Sequence, residues 1–107
     1  MITAKMTYHA QDERAERLAL IAEHIGVGSI LYKFESKHRA STVECITSTG
    51  VLIIMDKTSS VIITAFCPRI NKMTAIFCSH GFSTVPPMIS NQVERNQKIM
   101  KRMGLMI

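Results

Sequence analysis

The residues that could do chemistry stand near the start of the chain and on one later apolar run. His9 opens the basic stretch Tyr8-His9-Ala10, and Arg14 and Arg17 follow it at the head of a periodic segment. Thr64 lies in the long apolar run 51–66. These four types suit cleavage of an RNA phosphodiester by attack of its own 2′-OH. That reaction needs a proton carrier, cations for the charge gathering on the phosphoryl oxygens, and no cofactor. Histidine suits the proton steps because its ordinary pKa lies near neutrality. Arginine suits the phosphate because its planar fork donates two parallel hydrogen bonds. The threonine hydroxyl adds a neutral donor. His9, Arg14, Arg17 and Thr64 are therefore the candidate catalytic set, and each also has a structural reading as a solvated helix end or a strand residue.

The elements that must position them follow from periodicity. Residues 10–25 read as an amphipathic helix, with Leu18, Ile21, Ala22 and Ile25 forming its stripe and Gly26 and Gly28 stopping it. At about 100° per residue, Arg14 falls within the apolar sector and Arg17 and His24 on its rim. An arginine aimed at a core must find an anion, a carbonyl or a route to water. Strands are expected at 29–34, 42–47, 51–55, 61–66 and 73–78, separated by turn chemistry at Ser48-Thr49-Gly50 and 56–60. Run 51–55 is apolar throughout, as a central strand covered on both faces would be. Cys67-Pro68 ends the 61–66 strand. A final helix is expected at 90–103 after Pro86-Pro87. Short links between consecutive strands favour an antiparallel meander. The expected class is α+β: an N-terminal helix on a four- to five-stranded antiparallel meander, then a C-terminal helix. Leu18, Ile21, Ile25, Val51, Ile53, Val61, Ile63 and Phe66 are its expected core.

Composition bounds the rest. The 107 residues suit one domain. No apolar run reaches the roughly 18 residues of a membrane span, and the opening lacks a signal-peptide layout. Three cysteines without metal-ligand spacing are expected to be free thiols in a reducing, cytoplasmic setting. The four histidines are dispersed, so no metal site is expected, and no Gly-rich phosphate loop or other cofactor motif is present. Net charge of +5 and a pI near 9.4 favour anionic partners. The basic groups are spread, with Lys33, Lys37, His38 and Arg39 in one cluster and Arg95, Lys98, Lys101 and Arg102 in another. Lys33, Lys37 and Arg39 are candidate substrate-binding residues, and His80, beside Gly81, is a candidate second proton carrier. Met100, Met103 and Met106 offer either core filling or a contact surface for a second copy of the chain.

The run Tyr8-His9-Ala10 through Arg14 to Arg17, with the segment 49–66, resembles small phage and mobile-element proteins of the barnase, EndoU, colicin and RelE-like ribonuclease superfamily. The resemblance spans roughly residues 7–78. His9 and Arg17 match the outer pair of that opening and Thr64 the strand threonine. The inner arginine of the pattern falls at Glu13, with Arg14 one place later. The resemblance implies a helix on an antiparallel sheet and RNA as substrate. Two other functions fit the same scaffold. One is a catalytically silent phage-encoded inhibitor that binds a host nucleoprotein or defence protein, in the manner of anti-CRISPR and anti-restriction proteins. The other is a dimerising structural module.

Overall fold

The computed structural model describes residues 15–37 and 39–103, with side chains from Ala19 onward. In chain order its elements are α1 (Ala15–His24), β1 (Ile30–Glu35), β2 (Thr42–Thr47), β3 (Leu52–Asp56), β4 (Ile62–Phe66), α2 (Ile70–Ser79) and α3 (Pro87–Arg102). The class is α+β, and the strands form one antiparallel sheet in the order β1-β2-β3-β4.

Strand alternation divides the side chains of β2 and β3 between two faces. Val43, Cys45, Val51, Ile53 and Met55 join Ile62, Ala65 and Ile21 of α1 in one buried cluster. Ile46 and Leu52 join Met73, Ile76 and Phe77 of α2, Val85, and Ile89 and Val93 of α3 in another. The sheet is thus a middle layer, with α1 on one side and α2 and α3 on the other. This is why β3 reads as a continuous apolar run.

Two expectations are corrected. Residues 73–78 form no fifth strand: they lie in α2, whose buried residues Met73, Ile76 and Phe77 follow helical i, i+3, i+4 spacing. The β-branched and aromatic content of the segment mimics a strand, but that spacing decides it. The phase of β4 also differs. Met55 pairs with Ile62 while Ile54 pairs with Thr64, so Ile63 is the extra residue of a bulge. Ile62 and Ala65 are buried in consequence, whereas Val61 and Ile63 are half-buried.

The last helix begins at Pro87, where proline is favoured because its missing N–H is not needed in the first turn. Its buried stripe is Ile89, Val93, Asn96 and Met100. The β2–β3 turn is pinned to this stripe. Asn96 Nδ2 donates to the Thr49 carbonyl at 2.7 Å. Gly50, at φ 78°, lies so close that a Cβ there would sit 3.1 Å from Asn96 Nδ2 and 3.3 Å from the Val93 nitrogen. Met100 is buried in the chain's own core and Met103 is half-buried. The surface expected of these two methionines is therefore largely consumed, and Met106 lies outside the described residues.

Candidate functional site

Of the residues named from sequence, His9, Arg14 and His38 lie outside the described residues, and Arg17 is described only as backbone of α1. Thr64 pairs with Ile54, and Ile54 and Phe66 pack on the cluster formed by α2 and α3. Thr64 therefore shares the face opposite α1. The structure does not bring the helix carrying Arg17 and the Thr64 side chain to one side of the sheet. Lys33, opposite Cys45 in register, is exposed on the other face from Phe34. Arg39 is exposed in the β1–β2 connection, where its N–H donates to Ser36 Oγ at 3.2 Å and its carbonyl accepts from Thr42 Oγ1 at 2.8 Å. Lys37 and His80 both lie near one further residue.

They meet around a residue not singled out in the sequence. Glu44 occupies the middle of β2 and faces α2. Because β2 is flanked by strands and covered by a helix, Glu44 is only 8% exposed, and it lines a small cavity. His80 caps the C-terminus of α2, its N–H donating to the Phe77 carbonyl at 3.1 Å. The imidazole stacks on Phe34, with ring centroids 4.4 Å apart and planes 10° from parallel. Phe34 is the register partner of Glu44. The stack therefore aims His80 Nε2 at the carboxylate, 3.9 Å from Glu44 Oε1. That gap is within ion-pair range but too long for a direct hydrogen bond. Nε2 is buried and has no hydrogen-bond partner, an uncommon condition for a buried polar atom.

Phe34 is itself held by edge-to-face contacts with Phe77 and Phe82, and Tyr32 packs edge-on against the same two rings. These aromatic contacts fix the ring on which the histidine lies. Beside Glu44, a cavity of about 60 Å³ is lined by Lys37, Lys72, Ala75, Ile76 and Ser79. Lys37 Nζ donates to the Ser79 carbonyl. Two lysines thus line the same small recess as Glu44, whose carboxylate lies beside the half-buried His80. The arrangement sets an imidazole beside a carboxylate and can offer ammonium charge to an anion.

Sequence reasoning names Lys37 and His80 as candidates but not Glu44, Lys72 or Phe34. An acidic residue at the centre of a strand that its hairpins place inside the sheet was the available signal for Glu44. Lys72 was hidden by the misreading of α2. A second concavity, about 420 Å³ and largely apolar, lies between the start of α2 and the middle of α3, lined by Ile70, Val93 and Gln97 among others. Among the described residues no three His, Cys, Asp or Glu side chains gather closely enough to hold a metal ion. No family model, no curated protein and no solved structure matches the chain.

Proposed function

We propose that this chain is a small RNA-cleaving or RNA-binding protein of toxin-like type, with its phosphate site at Lys37, Lys72 and His80. The observation that supports this reading is the buried, unpartnered Nε2 of His80 facing the buried carboxylate of Glu44. With Nε2 turned to Glu44, Nδ1 is the nitrogen left for a substrate. In the reaction, the imidazole takes the 2′-OH proton and O2′ attacks phosphorus. The 5′-oxygen leaves with a proton from water, giving a 2′,3′-cyclic phosphate. Glu44 stabilises the imidazolium, and the lysines oppose the phosphoryl charge. The chain's net charge of +5 favours such a substrate.

The test is end-labelled single-stranded RNA incubated with the whole chain between about pH 5 and 9. His80→Ala should lower the cleavage rate by about 10²–10⁴-fold. Lys37→Ala and Lys72→Ala should each weaken binding and flatten its salt dependence. Running His9→Ala in parallel decides between the two histidines, since loss in that variant alone would move the site to the N-terminal cluster. RNA left both intact and unbound would end the reading. Inhibition of a host protein by binding alone is the second reading, favoured by the apolar concavity beside exposed Ile70. A stable complex with one protein and no RNA turnover would establish it. Among the described residues no helix is long and apolar enough to cross a membrane.

A further inference from the structure

We infer that the outer edge of β1 pairs with the same edge of a second copy, about a two-fold axis at Phe34. β1 is a terminal strand, and among the described residues its only ladder partner is β2. The Ser36 N–H donates to the Thr42 carbonyl at 3.0 Å. In an antiparallel ladder, hydrogen-bonded pairs alternate with non-hydrogen-bonded ones. Ser36, Phe34 and Tyr32 therefore turn their backbone groups toward β2, and Lys33 and Glu35 turn theirs outward. The outward row carries an exposed N–H and C=O on each of two adjacent rungs, and Ile30 and Leu31 beside it are 40% and 44% exposed. Such an edge is a template for another strand.

The charges select both the partner and the register. A self-pairing centred on Lys33 sets lysine against lysine. One centred on Glu35 sets glutamate against glutamate and Lys33 against Lys37. One centred on Tyr32 sets Lys33 against Leu31, the extra residue of the irregularity between Ile30 and Tyr32. Only the register centred on Phe34 sets Lys33 of each copy against Glu35 of the other, on the rungs whose N–H and C=O groups face outward. Opposite charges placed directly across strands stabilise the pairing, and like charges oppose it. A lysine on an edge ordinarily discourages pairing. Here Glu35, two residues on, converts it into a register key. Glu35 also accepts from Lys57 Nζ, yet remains exposed enough to take a second cation. The assembly would be one continuous sheet. Phe34 would meet its counterpart at the axis, and the two Glu44–His80 clusters would flank that axis on one side.

Sedimentation equilibrium of the full chain at micromolar concentration tests this independently of any RNA activity. The wild type should sediment at twice 12.0 kDa. Lys33→Glu and Glu35→Lys should each weaken association by about tenfold, and the double reversal Lys33→Glu/Glu35→Lys should restore it. Lys33→Pro should give a folded monomer, because it removes an outward N–H that the chain's own sheet does not use. Circular dichroism melts of each variant confirm folding. A monomeric wild type, or a folded double reversal that fails to re-associate, would overturn the proposal.

Discussion

The two faces of the sheet are built from different materials. On the α1 side the buried cluster is aliphatic, with the thiol of Cys45 and the thioether of Met55 as its heteroatoms. On the α2 and α3 side lie the aromatic rings of Tyr32, Phe34, Phe66, Phe77 and Phe82, together with Glu44, His80 and Asn96. Among the described residues, the buried side-chain atoms without a hydrogen-bond partner, His80 Nε2 and Asn96 Oδ1, belong to this second side. Closely packed aliphatic surface stabilises a fold and does little else. Unsatisfied buried polarity costs stability, and it survives where a site needs it. Both faces pack a buried core, and the second also carries the polar cluster on which the proposed function rests.

The largest effect should come from the aliphatic face. Ile53 is fully buried at the centre of β3, so Ile53→Ala should lower unfolding free energy by about 2–5 kcal/mol through lost transfer and cavity terms. Urea denaturation followed by circular dichroism measures it. The paired substitution Glu44→Met/His80→Phe should behave in the opposite way. Replacing a buried acid and its polar neighbour with apolar groups of similar size is often neutral, or stabilising by about 1–4 kcal/mol. The double variant should unfold at equal or higher urea while RNA turnover or binding disappears. Loss of stability on the scale of Ile53→Ala would mean that Glu44 and His80 belong to the structural face after all.

The sequence showed most of the framework because strand alternation and turn residues are local signals. The hairpin turns at Thr49-Gly50 and after Asp56 lie where expected, and Ile21, Val51 and Ile53 are buried as expected. What failed depended on partners. Met73, Ile76 and Phe77 suit either a strand or a helix by composition, and only packing on β2 and β3 from one side settles the period. The bulge at Ile63 is a property of two strands, invisible in one. Glu44 alternates with Val43 and Cys45, and a polar residue in that position ordinarily faces water. It faces α2 instead, a helix over a segment whose composition suggests a strand. The same composition hid Lys72. Thr64 was placed with the N-terminal cations by motif alone, and the register sets it on the other face from α1.

The smallest effect maps the two faces by their thiols. Burial pushes the Cys67 thiol up to about 11, from an ordinary value of 9.0. Burial also raises Cys45, with the nearby Lys33 ammonium acting against it. Both side chains pack with the cluster on the α1 side. Cys78, on α2, is exposed. The thiolate is the reactive form, and at pH 8 a thiol of pKa about 11 is ionised in about one molecule in 10³. Iodoacetamide at that pH, followed by peptide mapping, should therefore modify Cys78 first, and Cys45 and Cys67 only after unfolding. The linkage has a definite sign. A thiol whose folded pKa exceeds its unfolded value keeps its proton longer in the folded chain. Its contribution to stability is complete below pH 9 and is lost as pH rises through about 11. Urea midpoints should accordingly be insensitive to this group at neutral pH and fall above pH 9, and Cys67→Ala should reduce that fall. Labelling of Cys67 as fast as Cys78 in the folded protein would show that the α1 face is open to solvent, and the contrast between the two faces would be lost.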